Sequence, residues 1–232
     1  MWLRESRAVR EQPPLTRARI VDEAVALLDE EGIDGLTMRR LAERIGSGVT
    51  TLYWHVDTKD DVVDLALDAI LGELPPGGAA LGDGTAGNAA ADDAAADGEW
   101  RAAIVALLVD WRTTMLRHPW SAALLQRPTL GPNLLARMEF LQATLVRPGF
   151  TGAHLHTATW TLYNYLMGAT VARASFQLSE EDRETAQRRL RDRSEEFPTL
   201  SAHQYMLEDD WDGTFVTGLG YVLDGIAAAG KR

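Results

Sequence analysis

Side chains suited to nucleic-acid contact are concentrated between residues 36 and 59. Thr50, Thr51, Tyr53, Trp54 and His55 supply hydroxyl, phenol, indole and imidazole groups within six positions. Such groups can donate to phosphate oxygens or touch the edges of bases. An exposed Tyr-Trp-His run lowers solubility unless a partner covers it. The run therefore favours DNA contact, although a plain helical hairpin with these aromatics in its core fits the same short pattern.

Two short helices are predicted to position these side chains. Thr37 is a suitable N-cap for the first helix, and Gly46 is a suitable stop before a Ser-Gly turn. Apolar residues then recur every three or four positions, so that each helix has one face to bury. They are Leu36, Leu41, Ala42 and Ile45 in the first helix, and Val49, Leu52 and Val56 in the second. This arrangement is a helix-turn-helix, whose second helix enters the major groove.

Residues 15–72 as a whole resemble the DNA-binding domain of TetR-type transcriptional repressors. The resemblance rests on LTMRRLA at 36–42, the turn glycine, TLYWHV at 51–56 and the lysine that follows. Upstream, residues 17–35 resemble the first helix of a three-helix unit, with an expected break at Gly32. Downstream, Thr58-x-x-Asp61 resembles a capping box that opens a connecting helix.

The resemblance implies roles for individual residues of this chain. Val49 and Thr50, preceded by Gly48, match positions that read the base sequence, and Arg39 is expected to add to base discrimination. Phosphate contact or helix positioning is implied for the other matching side chains. The complete DNA-binding prediction is Thr37, Arg39, Arg40, Gly48, Val49, Thr50, Thr51, Tyr53, Trp54, His55 and Lys59.

The net charge of −11, with a sequence pI near 4.9, seems unfavourable for DNA binding. The charge is unevenly distributed, however. Residues 1–59 hold nine Lys or Arg against ten Asp or Glu, so nearly all of the excess acid lies further along the chain. Because salt screens charges beyond about 8 Å, a local basic face is sufficient for phosphate contact. Residues 1–14 are expected to form a flexible arm, either with DNA contacts through its arginines or with no role.

Several other classes of protein are disfavoured by the sequence. The chain has no cysteine, and it has no apolar stretch of the roughly 20 residues that a membrane span needs. No G-x-S-x-G, Walker A or G-x-G-x-x-G motif occurs in a suitable context. We therefore expect a cytoplasmic protein that is not an enzyme and that uses no cofactor, metal or membrane.

A second helical domain is predicted after a linker. Residues 73–99 are rich in Gly, Ala and Asp and are expected to be that linker, while helical periodicity returns over 100–230. The second domain more loosely resembles the ligand-binding and dimerisation domain of the tetracycline-repressor branch. That resemblance implies a homodimer, with residues 179–197 and 210–229 as the expected interface. A purely intramolecular core remains the alternative.

The same resemblance implies a pocket for a small hydrophobic effector. Asn164 is the most specific candidate, because a buried amide among aromatics needs a hydrogen-bonding partner. The metal-binding histidine of tetracycline-responsive members has no counterpart in residues 122–125, so magnesium-tetracycline is not supported. The full ligand-binding prediction is Trp111, Met115, His118, Arg127, Phe140, Trp160, Tyr163, Asn164, Met167 and Phe176.

Together these features predict an all-α protein with an N-terminal helix-turn-helix head and a larger C-terminal helical domain. The expected function is a ligand-responsive repressor that binds a palindromic operator as a homodimer, with its two heads about 34 Å apart. A small hydrophobic molecule of unknown identity would release it. The alternative is a DNA-binding repressor or activator whose C-terminal domain binds a protein partner or no ligand.

Overall fold

The computed structural model describes residues 15–73, 89–124, 130–207 and 210–230, and within these ranges every regular element is helical. The chain divides into two compact units, Met1–Ala69 and Ile70–Arg232. We call them the head and the body. The all-α class, the N-terminal helix-turn-helix and the larger C-terminal helical domain are confirmed. The N-terminal arm and Arg127 lie outside the described residues.

The head contains α1 (Arg17–Gly35), α2 (Met38–Ile45), α3 (Val49–Leu52) and most of α4 (Lys59–Leu71). In α1 the backbone leaves helical geometry at Gly32, where φ is 70°, so the predicted break is confirmed. The predicted capping box at α4 is also present. The Thr58 N–H donates to Asp61 Oδ2 at 2.8 Å, and the Asp61 N–H donates to Thr58 Oγ1 at 3.1 Å.

Arg44 ties α2 to α1 within the head. Its guanidinium donates to both carboxylate oxygens of Glu30 at 2.6 and 2.7 Å, and to Glu23 at 2.9 Å. These hydrogen bonds raise the pKa of Arg44, and they lower the pKa of Glu30 below its ordinary value of 4.5. A bidentate pair of this kind fixes orientation as well as distance. The angle between α1 and α2 is therefore set by a polar clamp beside an apolar core.

The body contains α5 (Ala89–Arg117), a 3-10 segment (Pro119–Leu124), α6 (Pro132–Val146), α7 (Gly152–Ser175), α8 (Glu180–Asp192), α9 (Pro198–Ala202) and α10 (Trp211–Gly230). Helix α5 begins at Ala89, so the expectation that residues 89–99 are linker is wrong. Alanine-rich sequence has high helix propensity. A helix therefore forms here although the segment has no apolar stripe. Residues 74–88 of the expected linker lie outside the described residues.

The body core is formed mainly by α5, α6, α7 and α10. One fully buried arginine, Arg137 of α6, crosses this core. It donates to the Leu71 carbonyl at 2.9 Å and to Asp110 at 3.3 Å, and its guanidinium lies 5.8 Å from the centre of the Trp111 ring. The Leu71 carbonyl is one of the last carbonyls of α4, which have no partner inside the helix. Arg137 thus satisfies the end of α4 from within the body.

Removal of Arg137 is expected to destabilise the body strongly. Arg137→Ala leaves the Leu71 carbonyl without this donor and Asp110 without its cation, which should lower the free energy of unfolding by roughly 3 kcal/mol. Urea titration followed by circular dichroism measures this loss. Arg188→Ala is the matched control, because the Arg188 side chain is 61% exposed and its ion pair should contribute little. Equal midpoints for the two variants would contradict this role for Arg137.

The Arg44 clamp should make the stability of the head depend on pH. Because the folded-state pKa of Glu30 is lowered, the clamp stabilises the head above pH 4.5 and loses its effect as pH falls through the lowered pKa. Arg44→Leu should therefore lower the melting temperature at pH 7, and the gap from wild type should close in more acidic buffer. Differential scanning calorimetry across this range tests the expectation. A gap that stays constant with pH would rule out the ionic contribution.

Candidate nucleic-acid interface and body cavity

The turn between α2 and α3 is set by capping at both ends of α2. Thr37 adopts an extended conformation, and its side chain accepts a hydrogen bond from the Arg40 N–H at 3.2 Å. Gly46 ends the helix in the left-handed region at φ 74°, a conformation that costs glycine no Cβ strain. The Ser47 N–H then donates back to the Ala42 carbonyl at 2.9 Å. The chain consequently reverses over two residues into α3.

Helix α3 is shorter than the sequence predicted. Regular helix covers only Val49–Leu52, and turns bonded from Tyr53 to Val56 continue it. Leu52 and Val56 are buried in the head core, as expected. Val49 is 36% exposed, so its predicted role as an apolar anchor is wrong. Two anchors are enough to seat this segment, and Val49 is left on the outer surface.

Around these two anchors the segment displays the side chains predicted for DNA contact. Gly48, Val49, Thr50 and Thr51 form one exposed edge. Tyr53, Trp54 and His55 follow it, with Tyr53 48% exposed and Trp54 84% exposed. The alternative in which these aromatics fill a core is therefore excluded by their exposure. We call residues 48–55, without buried Leu52, the reading surface.

The basic residues of the predicted site differ in how freely they can reach phosphate. Arg39 has an 83% exposed side chain that forms an i,i+4 pair with Glu43 at 2.9 Å, a weak exposed contact. Arg40 bonds Glu31 and the Gly35 carbonyl. The Lys59 ammonium donates to the Ile33 carbonyl at 3.0 Å. Arg39 is thus the more available cation, while Arg40 and Lys59 also hold the last turn of α1.

Sequence reasoning missed one residue that supports this surface. The Arg19 guanidinium on α1 donates to the Ile45 carbonyl at 2.9 Å, which fixes the end of α2 just before the turn. Arg19 and Ile45 lie 26 positions apart in the chain, so no periodic pattern in the sequence links them. An arginine on the edge of α1 could only be counted as surface charge from the sequence.

In the body, most residues predicted to bind ligand lie in or against the core. Trp111 and Met115 are buried, and Phe140, Tyr163 and Met167 pack partly buried against the same cluster. His118 is also buried and bonds Glu73 at 2.9 Å. Trp160 and Asn164 are exposed. Because α7 turns Asn164 outward, burial does not require the hydrogen-bonding partner that made this residue a candidate.

Of the predicted ligand residues that the structure describes, which leaves out Arg127, only Phe176 borders a cavity in the body. The cavity has a volume of about 520 Å³ and lies where α7, α8, α9 and α10 meet. Its other lining residues come from segments that lack a strong apolar pattern, which is why periodicity did not reveal them. The lining is Phe176, Leu178, Arg183, Thr199, Leu200, His203, Tyr205, Met206, Asp210, Trp211 and Thr214.

Metal-binding clusters and membrane-spanning helices are both absent from the described part of the chain. No group of three or more His, Cys, Asp or Glu side chains there is arranged to hold a metal ion. None of the helices described is long and apolar enough to cross a membrane.

Family models match both parts of the chain. Residues 20–66 match the model of bacterial regulatory proteins of the tetR family, and residues 94–229 match that of the tetracyclin repressor-like C-terminal domain. The first match contains α2, α3 and the reading surface. The second contains nearly all of the body.

Curated relatives agree with these matches. An HTH-type transcriptional regulator of Saccharopolyspora erythraea is 38% identical over 233 residues, covering 98% of this chain and 91% of the relative. The HTH-type transcriptional repressor DrrR1 of Streptomyces coeruleorubidus is 37% identical over 178 residues, covering 75% of this chain and 58% of the relative. The similarity to the first relative thus extends through head and body alike.

A solved structure shows the same fold. ActR, a TetR family protein of Streptomyces coelicolor crystallised in complex with actinorhodin, has a TM-score of 0.78 and 25% identity, with 95% of this chain and all of that chain covered. The exposed reading surface, the two family models and the relative that is similar through head and body all support one family assignment. The chain belongs to the TetR family of bacterial regulatory proteins and is a DNA-binding transcriptional regulator, a non-enzymatic role.

Proposed function

We propose that this regulator is a cytoplasmic homodimeric repressor that binds a palindromic operator and is released by a small hydrophobic molecule. The reading surface is the observation that carries the proposal. A single turn of helix presents Val49 and Thr50 beside Tyr53 and Trp54, with both apolar anchors facing the head core. No described residue of the head buries these aromatics, and a DNA groove is a surface of matching chemistry.

Two kinds of DNA contact follow from this surface. Tyr53, Thr51 and His55 present hydroxyl and imidazole groups suited to phosphate oxygens, which are the same on every sequence. Val49 and Thr50 present methyl groups and one hydroxyl, which suit contact with thymine methyls and base edges. The absence of long polar side chains at 49 and 50 supports an operator different from those of the tetracycline repressors.

A homodimer is supported by two exposed stripes on neighbouring helices of the body. Helices α7 and α10 pack against each other, and each keeps an exposed row of residues at helical spacing. The stripes are Trp160, Asn164, Gly168, Val171 and Ala172 on α7, and Thr217, Tyr221, Asp224, Gly225 and Ala228 on α10. Exposed apolar and small residues in such rows are typical of surfaces that a partner covers.

The glycines within these stripes strengthen the dimer argument. A Cβ added at Gly168 or Gly225 would meet nothing within 4 Å, so packing within the chain does not require glycine there. By contrast, a Cβ at Gly218 would lie 2.4 Å from the Tyr165 hydroxyl, so that glycine serves the chain itself. Close approach of a second copy explains the first two glycines. Helix α8, predicted earlier for the interface, is highly charged and buries only Gln187, so we propose α7 in its place.

Effector release is supported by the body and by its relatives. ActR, similar along its whole length, was crystallised with actinorhodin, and the body of this chain contains a cavity of about 520 Å³. We propose that the ligand favours a conformation in which the two heads no longer match the groove spacing, with α4 as the connecting element.

Substitutions in the reading surface should separate affinity from specificity. Tyr53→Ala should weaken binding to every sequence, by about tenfold if one phosphate contact is lost. Thr50→Ala should instead change the preferred sequence while leaving binding to unrelated DNA nearly unchanged. Genome-wide mapping of bound sites supplies the operator, and gel shifts on that fragment and on single-base variants measure both effects. The reverse pattern would refute these assignments.

Leucine at the stripe glycines should break the dimer without weakening the helices. Gly225→Leu raises intrinsic helix propensity by nearly 1 kcal/mol, so any loss of assembly must come from steric exclusion of the partner. We expect sedimentation velocity to show monomers with unchanged helix content. Ala136→Leu is the matched control, because Ala136 is also exposed on a helix but lies on α6, which carries neither stripe. A dimeric Gly225→Leu variant would contradict the proposed interface.

A further inference from the structure

We propose that Glu43 is a positioning residue that makes DNA binding selective, because it prevents the Arg39 guanidinium from pairing freely with phosphate. The inference rests on the proposed operator contact of the reading surface and adds a residue that the DNA-binding prediction did not contain. Both side chains lie on α2, one helical turn apart. The Arg39 Nε donates to Glu43 Oε1 at 2.9 Å, and the two side chains are 83% and 61% exposed.

The Arg39–Glu43 pair differs from the contacts of the other two arginines of α2. Arg40 and Arg44 pair with acidic residues of α1, so each of them joins two helices of the head. Arg39 and Glu43 belong to the same helix, so their contact holds no second helix in place. The tertiary structure of the head therefore does not explain why an acid occupies position 43.

The stability of α2 does not explain Glu43 either. In an i,i+4 ion pair the favourable order places the acid nearer the helix N-terminus, and here the arginine comes first. Glu43 also lies in the last turn of α2, where the carbonyl end of the helix dipole disfavours negative charge. An exposed pair of this kind contributes little to the free energy of unfolding. The acid is placed against local helix preferences, so its role lies outside helix stability.

The location of the pair connects it to the reading surface. Helix α2 turns its buried apolar residues into the head core, and positions 39 and 43 are exposed. Gly46 follows three positions after Glu43, and the turn that it begins leads directly into residues 48–55. In a helix-turn-helix the first helix crosses the DNA backbone. DNA on the reading surface consequently brings phosphate charge close to Glu43.

The approach of DNA strengthens the attraction between Arg39 and Glu43. In water the two exposed charges attract each other weakly, but displacement of water by DNA lowers the local dielectric constant and increases the attraction. A carboxylate that is desolvated beside phosphates without a cation is strongly unfavourable. Separation of Arg39 from Glu43 next to DNA is therefore penalised, whatever the base sequence.

The geometry of the contact leaves part of the Arg39 guanidinium available to DNA. Within the described part of the chain its Nε donates to Glu43, while its two terminal nitrogens make no hydrogen bond. These two nitrogens can bind a base edge that presents two acceptors, provided that the edge lies where Glu43 holds them. A freely moving arginine instead pairs with the phosphates of any sequence. Glu43 thus lowers nonspecific affinity and raises selectivity.

The test compares full-length wild type with Glu43→Ala on two DNA fragments, the operator found by genome-wide mapping and a shuffled fragment of the same length and composition. Fluorescence anisotropy measures both affinities over a series of salt concentrations. Glu43→Ala should tighten binding to shuffled DNA by about five- to tenfold near about 0.1 M salt, because Arg39 gains one phosphate contact. The slope of log affinity against log salt should steepen by about one on this fragment. The ratio of operator affinity to shuffled-DNA affinity should fall.

Three control variants separate positioning of Arg39 from simple charge repulsion. Asp57→Asn also removes one exposed acid next to the reading surface, but Arg39 pairs with Glu43, so both affinities should rise equally and their ratio should stay constant. Glu43→Gln retains an acceptor for the Arg39 Nε, so it should keep part of the selectivity that alanine loses. In an Arg39→Ala background, Glu43→Ala should leave the affinity ratio unchanged.

The outcomes distinguish the role of Glu43 from the proposed operator contact. An unchanged ratio and salt slope in Glu43→Ala overturn the role. An equal gain on both fragments, or a fall in the ratio that persists without Arg39, also overturns it, because charge repulsion alone explains either result. Helix content by circular dichroism should match wild type, and its loss would show a structural role instead. Wild type that binds neither fragment refutes the proposed operator contact, whereas operator binding that Glu43→Ala leaves unaltered in selectivity refutes only the role of Glu43.

Discussion

The reading surface depends on the burial of two side chains, Leu52 and Val56. A four-residue helix has no independent stability in water, since forming the first turn fixes several residues for a single hydrogen bond. Burial of Leu52 and Val56 in the head core supplies the stabilising free energy that so short a helix lacks. The left-handed turn at Gly46 sets the direction from which the segment arrives. With so few anchors, every other side chain of the segment faces outward and is available for contact.

The basic residues of the head are likewise divided between structural contacts and exposed side chains. Arg44, Arg40 and Arg19 are committed to contacts between α1 and α2 or the loop that joins them. These contacts fix the support on which α3 rests, and they leave Arg39 as the most exposed cation described on α2. Net charge is therefore a poor guide to DNA binding in this chain. The protein is acidic overall, yet it presents a local basic and aromatic surface. This is possible because acidic residues of α1 pair with arginines that hold α1 and α2 together.

Local signals made the head predictable, whereas the cavity depends on contacts that are remote in sequence. The Thr58 capping box and the break at Gly32 are encoded within a few residues, and both were confirmed. The exposure of Val49 was mispredicted because periodicity leaves the orientation of residues at the edge of a buried face undecided. One wall of the cavity depends on hydrogen bonds between Gln187 and a turn 14 to 19 positions later. No periodic pattern in the sequence predicts such contacts.

The body offers a continuous packed route from the cavity to the end of α4. Helix α7, which ends at the cavity, packs against α5 and α6. Arg137 of α6 holds the Leu71 carbonyl, and His118, just after α5, holds the Glu73 carboxylate. The last residue of α4 is therefore held by Arg137 on α6, and Glu73, two residues further on, is held by His118, which directly follows α5. Helix α4 begins in the head and ends in the body, so these contacts hold the end of the connecting helix that the proposed release mechanism requires.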